Sequence, residues 1–195
     1  KITLHHPQRG EKAALVDMVN KNAGESLEKY RFNRDRERLQ TNEILAQFMK
    51  TLHLSAPPFR IECYDISNIS GTQSVGACVV YRNAKESRKD YRRFRIKTVE
   101  GANDYESMRE VIYRRFSRAY QETDAIAKNE MEEEKAKFLP LPDLILLDGG
   151  KGHVSAIKLL METLGETVPV FGLVKDDKHR TRGLTDENEE FSLVP

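Results

Sequence analysis

Two aspartates stand where carboxylates are costly. Asp65 closes the run Ile61-Glu-Cys-Tyr-Asp-Ile-Ser. On the two-residue alternation of a strand it shares a face with Ile61 and Cys63, which are expected to pack inward. Asp148 follows Leu144-Ile-Leu-Leu and precedes Gly149-Gly150, where a buried strand opens at its carboxyl end, the end at which ligands gather in parallel sheets. Burying a lone ionised carboxylate costs roughly several kcal/mol, so each needs a hydrogen-bond donor, an opposite charge or a cation. A hydrogen-bonded turn serves Asp65 taken alone, and capping of a helix beginning after Gly152 serves Asp148. Taken together they say more. Two carboxylates projecting from adjacent strand ends repel unless a divalent cation lies between them. Hard oxygen ligands suit Mg2+ or Mn2+, which activate water and stabilise the leaving oxygen of a phosphodiester, ideally as a pair about 4 Å apart. The chemistry indicated is metal-assisted hydrolysis of nucleic acid.

Around this pair lie residues with two readings each. Asp104, at the start of a helix, is a third metal ligand or a complement to the helix dipole. Asp148-Gly-Gly-Lys-Gly lacks the spacing and the Lys-Ser/Thr ending of a nucleotide-binding loop, so Lys151 is assigned to a DNA phosphate and not to ATP. The segment Lys175-Asp-Asp-Lys-His-Arg-Thr-Arg182 brings Lys175, Lys178, Arg180 and Arg182 either to a scissile backbone or to a charged surface loop. The stretch Arg82 to Lys97 holds eight basic residues and only Glu86 and Asp90 as acids, with Tyr81, Tyr91 and Phe94 interleaved. It fits phosphate pairing with ring contacts, or a charged outer sheet face. His153 reads as a polar helix residue, and His5, His6 and His53 show no ligand spacing.

The elements that must position these residues follow from periodicity. Leu15, Met18, Val19, Ala23, Leu27 and Tyr30 recur at helical spacing from Glu11 onward. Leu45, Phe48, Met49 and Leu52 stripe a second helix that begins in the charged run Arg34 to Arg38. Pro57-Pro58 forbids continuation, which sets a boundary between a helical lead, 1–56, expected to pack on the core, and the main fold, 57–195. Phe59–Ile66, Ser74–Tyr81 and Tyr91–Thr98 read as three antiparallel strands joined by hairpin-sized connections. A helix follows, with Met108, Val111, Ile112, Phe116 and Ala119 on one face and a capping box at Asn103 and Glu106. The acidic stretch through Lys137 reads as a solvated, mobile extension. Leu144–Leu147 is a strand buried on both faces, then comes a helix ended by Gly165, and Val168–Val174 is the last strand. The order predicts an α/β mixed sheet flanked by helices, three antiparallel strands followed by parallel additions, as in ribonuclease H-like nucleases.

The chain has 195 residues, 32% of them charged and 38% hydrophobic, enough for one ordinary domain with an appendage and too short for several enzymatic domains. No apolar run reaches membrane-span length and the start is not a signal peptide. Cys63 and Cys78 sit in apolar runs as small core residues, which agrees with a reducing cytoplasm. The formal net charge of +1 conceals segregated clusters, so it does not exclude a nucleic-acid partner.

Four motifs, in order, carry a resemblance: Tyr64-Asp-Ile-Ser-Asn68; Lys97-Thr-Val-Glu-Gly101 with Asp104-Tyr105; Leu147-Asp-Gly-Gly-Lys-Gly152; and Lys175-Asp-Asp-Lys-His-Arg-Thr181. With Arg9-Gly-Glu-Lys12 and Asn22-Ala23 in the lead, the chain resembles the catalytic C-terminal half of the UvrC family, the C subunits of the bacterial UvrABC excision nuclease. The resemblance implies a ribonuclease H-like endonuclease that cuts damaged double-stranded DNA on the 5′ side of a lesion with Mg2+ or Mn2+, recruited by the damage-bound B subunit. It carries Asp65 and Asp148 over as catalytic metal ligands, and Asp104 as an acidic position important in some members. The family's catalytic histidine belongs to a later Asp-Glu-x-His-Arg-Phe segment that this chain does not contain, and His179 lies in a different motif. The downstream helix-hairpin-helix module, the other nuclease domain and the partner-binding hairpin are also absent. The expectation is therefore a fragment, truncated at its C-terminal end, that binds metal weakly and cuts poorly alone. The competing expectation is a noncatalytic scaffold of the same fold that docks DNA or a repair partner.

Overall fold

The computed structural model describes residues 7–69, 73–99, 101, 103–176, 178 and 180–192. They form two compact units divided between Glu43 and Ile44. A single helix, α1 (Glu11–Thr51), spans 41 residues where two helices are expected from the sequence. No proline interrupts it, and Gly24, which meets no neighbouring atom, costs only about 1 kcal/mol relative to alanine. The charged run Arg34 to Arg38 continues the helix and does not start one. Its end does not need the prolines either. His53 adopts a left-handed conformation, φ 51°, and the Leu54 amide donates back to the Met49 carbonyl at 2.9 Å, a Schellman closure.

The second unit is built on β1 (Arg60–Ile69), β2 (Gln73–Arg82), β3 (Lys85–Glu86), β4 (Arg92–Arg95), α2 (Asp104–Ala127), β5 (Leu144–Leu147), α3 (Lys151–Leu164), β6 (Val170–Lys175), β7 (Thr181–Thr185) and β8 (Glu190–Ser192). The strands form one mixed sheet in the order β3-β2-β1-β5-β6-β7-β8, with β4 also on β2. β2 runs antiparallel to β1, β3 and β4, and β5 runs parallel to β1 and β6. The antiparallel set and the buried parallel strand are as the sequence indicates. β6 is not the last strand, because β7 and β8 extend the sheet by two antiparallel steps. Thr-Arg-Gly-Leu-Thr carries one large apolar residue, Leu184, too little pattern to announce a strand.

Two apolar layers cover the sheet. On one face Tyr64, Cys78, Phe94, Ile145 and Leu147 pack against Val111, Phe116, Val154 and Ile157 of α2 and α3. On the other, Ile61, Leu144, Leu146, Phe171 and Leu184 pack against Leu52 at the end of α1. The start of α2 is capped as expected, the Asn103 side chain accepting from the Glu106 amide at 3.2 Å, and Gly165 closes α3 at φ 73°. The acidic stretch is not a simple extension. α2 continues to Ala127, and the Glu122 carboxylate accepts the Lys137 and Phe138 amides at 2.9 and 2.7 Å, folding the chain back so that Phe138 is buried.

Candidate active site

The register of β1 on β5 pairs Ile61 with Leu144 and Tyr64 with Leu147, and the Asp148 amide continues the ladder by donating to the Tyr64 carbonyl at 2.8 Å. One step further, Asp65 lies beside Asp148. Alternation sends Glu62, Tyr64, Ile145 and Leu147 toward α2 and α3. Ile61, Cys63, Leu144 and Leu146 take the opposite face, and with them both aspartates. The two carboxylates therefore share one face at the carboxyl ends of neighbouring parallel strands.

Their surroundings differ from the sequence expectation. Asp65 is exposed, because the apolar layer on its face ends at the preceding residue pair, and its Oδ2 accepts from Ser67 Oγ at 3.0 Å. Asp148 is half-buried and does not cap α3, whose N-cap is Gly150 with no side-chain bond. Instead both Asp148 oxygens lie 2.7 Å from the Lys175 ammonium, delivered by the end of β6. The turn after Asp148 is pressed tightly into place. A Cβ on Gly172 would collide with the Gly149 carbonyl, and one on Gly149 would meet the His153 ring at 2.5 Å. His153 in turn stacks on Tyr105 with ring centroids 4.1 Å apart and planes 12° off parallel, tying the first turn of α3 to that of α2.

Asp104 sits exposed in the first turn of α2. Among the described residues no group of three or more His, Cys, Asp and Glu gathers to hold a metal. The basic residues anticipated around the site are largely engaged within the chain. Lys151 Nζ donates to the Asn188 carbonyl at 2.8 Å, and Arg180 and Arg182 pair with Asp176 and Glu190 at 3.0 Å. Lys178 is exposed, its amide held by Asp176 Oδ1 at 2.9 Å. Asp177, His179, His5, His6 and Glu100 lie outside the described residues.

Two carboxylates sequence reasoning passed over anchor the surroundings. Glu110, on α2, accepts the Lys97 and Thr98 amides at 3.0 and 2.9 Å, Thr98 Oγ1 at 2.7 Å and Arg114 at 2.8 Å. Burial pushes its carboxyl upward, but the Thr98, Lys97 and Arg114 donors outweigh that and hold it below the usual glutamate value. Glu62 is fully buried and bound by Arg60, Arg115 and Tyr64. Arg60, Glu62 and Tyr64 alternate on β1, and Glu110 and Arg114 stand four apart on α2, but the Arg115 and the Lys97–Thr98 partners come from other elements and leave no local signal.

The donor set at the strand ends fits a hard divalent cation. Two adjacent carboxylates, one exposed and one half-buried, match the protein share of a typical Mg2+ site, which uses one or two carboxylates. Lys175 is already present there as a competing positive charge.

A mixed sheet whose antiparallel strands lead into parallel ones, flanked by helices and carrying two aspartates at the ends of its central strands, defines a ribonuclease H-like domain. The family model "UvrC RNAse H endonuclease domain" matches residues 49–194, and "UvrC Ribonuclease H-like domain" matches residues 1–30. UvrABC system protein C of Alkaliphilus oremlandii and of Clostridium perfringens strain SM101 are each 46% identical over 193 residues, and that of Clostridium novyi strain NT is 45% identical. Each alignment covers 99% of this chain, which spans 31% of the length of those relatives. The chain belongs to the UvrC family and corresponds to its ribonuclease H endonuclease domain. None of its described helices is long and apolar enough to cross a membrane.

Proposed function

We propose that this chain carries the metal-dependent endonuclease site of bacterial nucleotide excision repair, hydrolysing a DNA phosphodiester on the 5′ side of a lesion in damaged duplex after recruitment by the B subunit. The observation that carries the reading is the side-by-side placement of Asp65 and Asp148 on one open sheet face in a chain of this family. Asp65 and Asp148 would hold Mg2+ or Mn2+, which when bound supplies Lewis-acid stabilisation of the phosphodiester and a more acidic water. Lys175 orients the Asp148 carboxylate and neutralises it. The exposure of Asp65 leaves room for a phosphate to approach. Gly149 and Gly172 set the height of the Asp148 turn by close backbone approach, and the His153–Tyr105 stack fixes it laterally. Lys151, Lys178, Arg180 and Arg182 border the site as DNA contacts, available once their internal partners are exchanged for phosphate, and Asp104 is a further acid at its margin. The activity resides in residues 57–195 with 1–56 as a helical lead. A cytoplasmic setting accords with the two free thiols, Cys63 and Cys78, whose pKa values burial raises to about 11 and about 12.

The test is Asp65→Asn and Asp148→Asn in the intact protein. Each is expected to lower 5′ incision by about a thousandfold, roughly 4 kcal/mol of transition-state stabilisation, with lesion-complex binding retained. Incision that survives both substitutions would show a noncatalytic scaffold instead.

A further inference from the structure

The strand register relates the aspartates to a part of the basic stretch that the site above does not use. β1 pairs Asp65 with Ala77 and Ser67 with Val75, and β2 pairs Ala77 with Arg93 and Val75 with Arg95. Directly opposed residues share a sheet face, so Arg93, Ala77, Asp65 and Asp148 form one row across β4, β2, β1 and β5. Arg95, Val75 and Ser67 form the next row. The intervening Phe94 confirms the parity, since it is buried on the opposite face among α2 and α3.

These two arginines differ from their neighbours in being uncommitted. Arg82 pairs with Asp90 at 2.6 Å and Arg88 with Glu86 at 3.1 Å, while Arg92 donates to the carbonyls of Lys89, Tyr91 and Lys137. Arg93 and Arg95 are exposed, and among the described residues neither guanidinium has an ion-pair or hydrogen-bond partner. The small Ala77 and Val75, both half-buried, lie between them and the first-strand positions Asp65 and Ser67. Two strand spacings separate Arg93 from Asp65, roughly 10 Å.

We infer that Arg93 and Arg95 form a phosphate track that holds the scissile DNA strand on the open sheet face, roughly 10 Å from Asp65 on the side away from Asp148. The inference rests on the nuclease reading of that site and adds the direction in which the strand crosses it, over β2 toward the β4 edge. A nucleic-acid strand is favoured over an acidic protein segment because the row is continuous with the aspartates.

The experiment is steady-state incision of a lesion-bearing duplex by the intact protein with the B subunit, over KCl from roughly 50 to 200 mM. The variants are Arg93→Gln/Arg95→Gln, Arg93→Lys/Arg95→Lys and, as a charge control, Lys128→Gln beyond the far end of α2. The double glutamine variant should raise KM roughly tenfold, make the salt dependence of log KM shallower by about 1.5, and leave kcat within about twofold. The lysine pair should restore the slope, and Lys128→Gln should change neither quantity. Each single glutamine substitution should give about half the slope change, which keeps the test open if the double variant fails to fold. An unchanged KM and slope overturns the track. So does a KM increase without a slope change, which would point to a protein partner on this strand. Persistence of incision in Asp65→Asn would overturn the nuclease reading itself, whereas Asp65 dependence without arginine dependence would remove only the track.

Discussion

Glu62 and Asp65 lie on the same strand, and the chain treats them in opposite ways. Glu62 faces the helices with no exposure and accepts five short hydrogen bonds: Arg60 Nε and Nη2 at 3.0 and 2.8 Å, Arg115 Nε and Nη2 at 2.9 and 2.7 Å, and Tyr64 Oη at 2.6 Å. Asp65 faces water with one hydroxyl donor, and its neighbour Asp148 is met by a single lysine. Planar guanidiniums lock a carboxylate through paired donors, whereas an ammonium on a flexible stem is a point charge that moves aside readily. The closed cluster ties β1 to α2 and, through Arg115 and the Pro140 carbonyl at 3.2 Å, to the segment before β5. The open pair retains unspent negative charge. One strand thus separates an acid that fixes the architecture from acids available to a ligand.

The largest expected effect lies at the closed end. Glu62→Gln leaves the buried Arg115 without its counter-charge and leaves Arg60 with only Asp90, 3.7 Å from its Nη1, while the Nη1 atoms of both arginines already lack hydrogen-bond partners. Loss of about 3–5 kcal/mol of stability is expected at neutral pH, read by urea denaturation. Burial pushes Glu62 upward, but Arg115 and then Arg60 and Tyr64 outweigh it and hold the carboxyl below its ordinary value of 4.5. A depressed folded-state pKa stabilises the protein fully above the unfolded value and loses that contribution as pH falls through the folded one. The gap between wild type and Glu62→Gln should therefore be full above about pH 4.5 and shrink in stronger acid. A gap that does not depend on pH would mean Glu62 is not the charged hub of this cluster.

The next effect, at the open end, is smaller. A half-exposed lysine–carboxylate pair is worth about 0.2–1 kcal/mol, so Lys175→Met should tighten Mn2+ binding by up to about fivefold, measured as free Mn2+ by electron paramagnetic resonance. Asp148→Asn should abolish that binding. Weaker binding in Lys175→Met would make the lysine a support for the site and not a competitor within it.

How much of this was legible in the sequence follows from range. Asp148 after four apolar residues, the Asn103 cap, the left-handed Gly165 and the face assigned to Asp65 are local patterns, and each stands as read. The ribonuclease H-like order of strands is local pattern repeated. The exposure of Asp65 was not legible, because it depends on where the apolar layer from α1, β5 and β6 stops. Glu62 with Arg115, and Asp148 with Lys175, are pairs joined only by folding. So is the Arg93–Asp65 row, which needs two strand registers at once. The uninterrupted α1 was missed because a charged run without a proline continues a helix as well as it begins one.

The smallest expected effect decides whether Asp65 belongs to the open class at all. If it were a structural turn residue, Asp65→Asn would turn the charge-assisted Ser67 bond into a neutral one and cost about 1 kcal/mol. If it is held beside Asp148 for a ligand, removing one of two adjacent negative charges relieves repulsion, and the metal-free protein should change by no more than about 0.5 kcal/mol, in the stabilising direction. Added Mn2+ should then reverse the order. Only the wild type gains the linkage stabilisation of a bound ion, which grows with the logarithm of free metal over its dissociation constant. Thermal melts of the two proteins with and without Mn2+ give the sign directly. A destabilised Asp65→Asn protein whose deficit ignores Mn2+ would place Asp65 with Glu62, among the acids that hold the sheet together.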